Sequence, residues 1–529
     1  MINQERLQRH LRFFATETPD RAAGSPGEAK AMDYAVAELV AAGWAVSYEP
    51  LQTFSSQVRK TQVEVADGPT FPAMGIGYAT PRGQGRWLEL IGAGDGSVAA
   101  YAGQDAAGKT VLVASGGPGV PDKGFIAHRH GALALLLASP ATPEPTFALR
   151  AQKGVWGPPQ PEDLLDLPDV TAVALTHRDA LALAALLRDR PRLQVRLHPA
   201  AEAAWRELRQ PIASLGPADG EFVLLHGHID GWSPGVTDNA TGCAALLEVA
   251  RALAQGPALR RGLRLALWTG HEVEEASGSA AFVDRHWREL RRCAAHLNVD
   301  SPGCEGGERV VLYRSLELRS VAQEVLGRFG VEVASELPLA KESDNSFALA
   351  GVPGIGVVPT GEAGRTLDGE EVAPLWWMHT ERDGTEHVRE DLLLRDTALL
   401  LELARTLADA PRLHDFLPVL SLLSDVVRGI PDEELRQELG AATARLAAAG
   451  GAGARSLSRL LLAVLGTRGG RWRHDRYGDP LYAYEYPGIA HLLGAPAEEH
   501  ALEAARLRER NRLADFLHAA LTLEVSSDG

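Results

Sequence analysis

An α/β fold, built on a mostly parallel sheet flanked by helices, is predicted by three features of this 529-residue sequence. Between about 216 and 410, short apolar runs alternate with helical patterns, the signature of parallel strands joined by covering helices. Four of those runs end in histidines and carboxylates. The flanking regions have other textures: a β-rich insert from about 55 to 200, and helical periodicity after about 411.

Taken in order, the elements divide the chain at those changes. Residues 1–54 form the first part of the α/β unit, with "EAKAMDYAVAELVAAG" at 28–43 reading as an amphipathic helix closed by glycine. Residues 55–200 carry short β pieces punctuated by glycine and proline, among them "GKTVLVASGGPG" and "GALALLLASP". Residues 201–410 hold the main part of the α/β unit. Residues 411–529 form a helical domain containing "LPVLSLLSDVV", "DEELRQELGAATARLAAAG" and "HALEAARLRERNRLADFLHAALTL". Within it, "GGAGARS" at 450–456 reads as a flexible break, and the tyrosine-rich "RYGDPLYAYEYPG" at 476–488 as a packed interface. "GAGDGS" at 92–97 opens no helix in a βαβ unit and reads as turns.

Composition narrows the function classes. The length exceeds one core and points to three or four domains at about 150 residues each. A formal charge of −16 argues against a nucleic-acid partner. Three cysteines, Cys243, Cys293 and Cys304, are too few for a disulfide framework and make no C-x-x-C pair. The first twenty residues lack the apolar core of a signal peptide, and no run of about 18 apolar residues occurs, so no membrane partner is expected and a cytoplasmic protein is.

In open α/β sheets, sites lie outside the carboxyl ends of the strands. "EFVLLHGHID" ends in His226, His228 and Asp230; "LRLALWTGHE" ends in His271 and Glu272; "AAHLNVDSPG" ends in Asp300. "PGIGVVPTG" is followed by "WWMHTERDGTEH", which carries His379. Asp238 precedes a helix whose Cys243, Leu246, Leu247, Ala250 and Leu253 recur at helical spacing. Singly, each group has an ordinary structural explanation; an aspartate at a helix start satisfies free N–H groups. Together on one sheet edge, imidazoles and carboxylates are the ligand mix of zinc and related divalent ions. Without cysteine among them, a hydrolytic centre is favoured over a structural one.

The segments "RAAGSPGEAKAMDYAVAELVAAGW", "HGHIDGW", "DNATG", "LNVDSPG", "SDNSFALAGVP" and "HTERDGTEH" occur in the order found in one family. In them the chain resembles the zinc aminopeptidase, glutamate carboxypeptidase and transferrin receptor family, family 28 of the metallopeptidases. The resemblance implies the zinc exopeptidase fold, with 55–200 as a protease-associated insert and 411–529 as a helical domain that makes a homodimer. It implies His228, Asp238 and Asp300 as ligands of a first metal, with Asp230 orienting the His228 ring. Asp238 would bridge to a second metal held by His379. Zinc is the implied cofactor, one or two ions per chain, with cobalt or manganese as substitutes. Asp344 and Asn345 of "SDNSF" fall where the family lines its substrate pocket, and the implied substrate is a peptide or N-acyl amino acid.

The stretch "LALWTGHEVEEASGS" at 265–279 departs from the family. There a glycine and one spacer precede two glutamates, and a Gly-Ser pair follows at a fixed distance. The first glutamate is the general base and the second a ligand of the second metal. Counting from Gly270 and back from Gly278-Ser279 gives one register: His271 is the spacer, Glu272 the base, and Val273 stands at the ligand position. The resemblance thus implies an exopeptidase, most simply an aminopeptidase, whose second site borrows a ligand from His271, Glu274 or Glu275 or stays weak. The alternatives are a binding module that has lost activity, like the transferrin receptor, and another amide-bond hydrolase or carboxypeptidase on the same fold. Met378 stands where some members carry a tyrosine.

Overall fold

The computed structural model describes residues 1–522 except 199, 218, 340–345, 362–364, 368–369, 449–450, 470–472 and 477–479. An eight-stranded mixed sheet forms its centre. The chain enters it through β1 (Ala45–Val58) and then leaves for a closed barrel of seven strands. These are β2 (Lys60–Val65), β3 (Thr70–Gly75), β4 (Trp87–Gly92), β5 (Thr110–Val113), β6 (Ala134–Ala138), β7 (Thr171–Leu175) and β8 (Gln194–Leu197). The chain returns in β9 (Ala201–Leu215), which pairs antiparallel with β1 from Ala45–Ser214 to Val58–Ala201. That long two-stranded arm joins barrel to sheet.

The remaining strands of the central sheet are β10 (Phe222–His228), β11 (Gly262–Trp268), β12 (Cys293–Val299), β13 (Arg309–Arg314), β14 (Glu332–Pro338) and β15 (Gly354–Thr360). They lie in the order β1-β9-β11-β10-β12-β15-β13-β14. The four central neighbours β11, β10, β12 and β15 are mutually parallel. Every residue of β10, β11 and β12 is buried, which is why they read as unbroken apolar runs rather than alternating ones. Leu225, Leu265, Leu297 and Ile355 pack on one face against helices Thr241–Ala254 and Glu390–Asp409. Trp268, Phe282 and Phe347 close the other face.

Helix Pro26–Ala41 begins two residues earlier than the sequence pattern indicates, because Ser25 caps it by accepting the Glu28 N–H at 3.0 Å and Pro26 fits the first turn. It ends before Gly43, whose φ of 93° turns the chain into β1. The "GGAGARS" stretch falls where one helix gives way to the next: helix Glu433–Ala448 ends just before it, residue 450 lies outside the described residues, and helix Gly451–Leu465 takes up the rest. Its Leu457, Leu461 and Leu465 pack with Leu423 and Leu513 in a core separate from the sheet's, and tertiary burial overrides the poor helix propensity of glycine. Tyr482 and Tyr486 of the tyrosine-rich segment are buried, and the neighbouring Glu485 pairs with Arg314 of β13 at 2.6 Å. No helix among the described residues is long and apolar enough to cross a membrane.

Candidate metal centre

The parallel strands deliver their C-terminal residues to one place. His228 ends β10 opposite Trp268 of β11 and is 1% exposed. Its Nε2 lies 3.1 Å from Asp238 Oδ1 and 3.7 Å from Asp300 Oδ1. On the far side of Asp238, Oδ2 lies 2.9 Å from His379 Nε2, which is 3.3 Å from Glu272 Oε2. Asp238 therefore stands between two imidazoles. All of these groups except His228 line a cavity of about 520 Å³, with Arg150 and Met378.

Each carboxylate is held by local structure. Asp238 lies in non-helical backbone just before helix Thr241–Ala254. Asp383 fixes it there: Oδ1 accepts the Thr237 N–H at 2.8 Å and the Thr237 hydroxyl at 2.6 Å, and Oδ2 accepts the Asp238 N–H at 3.0 Å. Asp300 follows β12 and accepts the Ser301 hydroxyl at 2.8 Å. Asn239 ties the two loops together, donating to the Val299 carbonyl at 2.9 Å and accepting the Ser301 N–H at 3.1 Å. Arg21, 1% exposed, donates to the carbonyls of Ile229 and Gly235 and so holds the loop after His228. His379 itself has a left-handed backbone, φ 55°, uncommon outside glycine and concentrated at functional sites.

Asp230 does not orient the His228 ring through its carboxylate. The ring's Nδ1 donates to the Asp230 backbone carbonyl at 2.9 Å. The carboxylate instead accepts the His271 N–H at 3.0 Å and the Glu272 N–H at 3.1 Å, and it fixes the turn that follows β11. The cause is the buried turn itself, whose N–H groups have no strand partner and need an acceptor.

The 271–275 stretch is buried rather than solvated. His271 stacks on His228 with ring centroids 4.1 Å apart, and His228, His271 and Asp300 place ligand atoms within 4.8 Å of one another. His228, Asp238 and Glu272 form a second such set. Glu274, 1% exposed, faces elsewhere and accepts the Ser55 hydroxyl at 2.6 Å. Burial pushes its carboxyl up to about 7, and that of Glu275 up to about 8. Neither glutamate joins a ligand set among the described residues. Val273 packs with Met74, Tyr78, Phe147, Leu149 and Trp232. Asp344 and Asn345 lie outside the described residues. His226 is at the same strand end but stays in the core, hydrogen-bonded to His296 at 3.0 Å and to the Trp268 indole at 3.0 Å.

The electrostatics are those of clustered charge away from water. Burial, reinforced by the adjacent Asp238, holds the Glu272 carboxyl well above its usual range. Burial opposes charge on His228, yet Asp238 and Asp300 raise it well above its ordinary value. Burial also opposes charge on Asp300, but the His228 ring and the Ser301 hydroxyl hold it low. His228 Nε2 and Asp238 Oδ1 face each other at 3.1 Å but lack hydrogen-bond geometry, and Glu272 Oε1 is buried with no hydrogen-bond partner. Buried polar atoms in native proteins are almost always satisfied, so three orphans converging on one point are what a cation would complete. The donor set fits a divalent metal.

The family model of peptidase family M28 matches residues 212–404, which contain every member of this cluster. This segment is similar to peptidase family M28. Endoplasmic reticulum metallopeptidase 1 of Rattus norvegicus is 35% identical over 104 residues, 19% of this chain and 11% of that protein. Aminopeptidase YwaD of Bacillus subtilis is 26% identical over 182 residues, 33% of this chain and 38% of that protein. The chain thus spans about a tenth to two-fifths of the curated relatives it matches. Among solved structures, BSAP, a zinc aminopeptidase from Bacillus subtilis, superposes with a TM-score of 0.61 at 20% identity. The superposition covers 77% of this chain and 96% of that one. It shows a shared mixed α/β fold.

Two contributors escape sequence reasoning. Asp383 lies inside the "HTERDGTEH" segment, but nothing in its spacing says that it reaches back to the Asp238 loop. Arg150 lies between β6 and β7 of the barrel, far from any motif, and comes to the centre only through the fold.

Proposed function

We propose that the chain is a metal-dependent exopeptidase acting on terminal bonds of short peptides, most simply an aminopeptidase. The observation that carries this reading is the convergence of His228, Asp238, Asp300, Glu272 and His379 on one buried centre opening to a cavity. Two related proteins bear the name aminopeptidase, YwaD and BSAP, which supports the substrate class.

His228, Asp238 and Asp300 would hold zinc, with the stacked His271 beside them. Zinc in such a centre supplies Lewis acidity toward the scissile carbonyl and lowers the pKa of water toward neutral. Glu272 is the proton carrier in this reading. Its Oε1, buried and without a partner, takes the proton of the attacking water and passes it to the departing amine nitrogen. Asp230 keeps that carboxylate in place through the Glu272 backbone, and Asp383 does the same for Asp238. The trapped position of these groups makes the site ready before substrate arrives, which is where electrostatic catalysis gains most.

The barrel fits the role of a protease-associated insert, since its 146–157 segment walls the cavity. The C-terminal helices fit a homodimer surface, supported by Leu417 and Leu507, which are 68% and 48% exposed. The test of the function is hydrolysis of aminoacyl and N-acyl amino acid substrates by wild type and Glu272→Gln, with zinc measured in both. Expected is cleavage of free-amine substrates by wild type, a fall of roughly 100- to 10,000-fold in Glu272→Gln, and unchanged zinc at the first site. Near-normal turnover by Glu272→Gln would remove Glu272 from its role, and no hydrolysis of any substrate by zinc-loaded wild type would favour a binding module.

A further inference from the structure

The barrel places a permanent cation against the second histidine. Arg150 Nη1 touches His379 Nδ1, and a second hydrogen bond runs from Nη1 to the Leu149 carbonyl at 3.2 Å. The placement is built rather than incidental. The segment is anchored from Phe147, whose N–H meets Glu381 Oε2 at 3.2 Å, to Gly157, whose N–H meets the Glu275 carbonyl at 2.8 Å. In between, Leu149 donates to the His379 carbonyl at 2.8 Å, and the Arg150 carbonyl accepts the Gly77 N–H at 2.9 Å. Buried Lys153 donates to the Glu274 carbonyl at 2.7 Å. Among the described residues no carboxylate lies within ion-pair distance of Arg150, although its charge favours ionisation of the Glu275 carboxyl in the same cavity.

A guanidinium only donates hydrogen bonds and stays protonated in proteins. A neutral imidazole has one lone pair and one N–H. With Nδ1 accepting from Arg150, the proton sits on Nε2, which then donates to Asp238 Oδ2 at 2.9 Å and meets Glu272 Oε2 at 3.3 Å. A ring in that tautomer cannot offer Nε2 to a metal. The glutamate that should assist is also missing, because Val273 is committed to the apolar cluster with Met74, Tyr78 and Leu149.

Building on the metallopeptidase reading, we propose that Arg150, rather than a second ion, supplies the positive charge at the His379 end of the cavity. It thereby limits the centre to one tightly bound metal. Arg150 is a positioning residue: it acts through His379, setting that ring's tautomer and repelling a second cation a few ångströms away.

The experiment is calorimetric zinc titration of the chelated full-length protein, comparing wild type with Arg150→Met and Arg150→Lys. Thermal melting confirms that each variant is folded. Wild type should bind one tight equivalent. Arg150→Met should tighten a second equivalent by roughly tenfold or more, because the His379 ring is free to turn its lone pair inward and the repulsion is gone. Arg150→Lys, which keeps the charge, should stay close to wild type. Two tight equivalents in wild type, or a second equivalent in folded Arg150→Met no tighter than in wild type, would overturn the inference while leaving the metallopeptidase reading intact. Absence of any tight zinc in wild type would overturn both.

Discussion

Asp230 and Glu272 are joined through the backbone: a carboxylate two residues beyond β10 accepts the N–H of the residue that carries the candidate base, at 3.1 Å. A second bond to the His271 N–H fixes the preceding peptide as well. Charge-assisted bonds to a buried carboxylate are strong and directional, so this contact aims the Glu272 side chain. Asp230→Asn keeps one acceptor and exchanges the other for an NH₂ that faces donors. The expected result is a kcat about 10- to 100-fold lower with zinc content unchanged. Steady-state kinetics alongside metal analysis check it.

Asp383 performs the matching task for Asp238. Asp383→Asn weakens the hold on the Thr237 and Asp238 N–H groups, and zinc affinity should fall roughly 10- to 100-fold, as for other outer-shell changes. Competition with a fluorescent chelator measures this, and a Kd equal to wild type would show that Asp383 serves only the fold.

Most of the site was legible because strand ends are legible. Unbroken apolar runs such as Leu265–Trp268 announce buried strands, and polar groups directly after them must gather at one sheet edge. That logic placed His228, Asp238, Glu272, Asp300 and His379, and it overreached for His226, which the same edge keeps in the core. What was not legible travels through space. Arg150 approaches from the barrel, at a position more than fifty residues before β10. Asp230 looked like a partner of the His228 ring, but the bond to that ring comes from its carbonyl. Glu274 and Glu275 read as candidate substitute ligands, whereas in the fold they are 1% and 9% exposed and lie outside the ligand sets among the described residues.

Val273→Glu restores the residue type that the register calls for, but at a place where the side chain meets Met74, Tyr78, Phe147 and Leu149. A carboxylate there would lack a partner, so a stability loss of about 2–4 kcal/mol is expected rather than a tight second zinc site. Urea denaturation of apo wild type and variant decides between the two outcomes.

One pH effect lies away from the centre. His286 Nε2 lies 2.7 Å from Glu49 Oε1 and its Nδ1 lies 2.9 Å from Glu289 Oε2. Burial opposes its charge, but the two carboxylates win and raise it to about 9. Its folded pKa is above the ordinary 6.5, so its contribution is complete below pH 6.5 and disappears as pH rises through 9. Allowing for partial exposure, wild type should lose about 1–2 kcal/mol more than His286→Gln across that window. Denaturation curves for both proteins at either end of the range measure the difference.

In the proposed function, hydrolysis depends on a metal held by His228, Asp238 and Asp300. The most direct measurement follows metal content and peptide hydrolysis in the same sample, through chelation and then stepwise return of zinc. Activity should vanish as the metal leaves and return in proportion to the first equivalent added, while His228→Ala and Asp300→Ala should neither retain zinc nor regain activity. Hydrolysis that persists after the metal is shown to be gone would contradict the account.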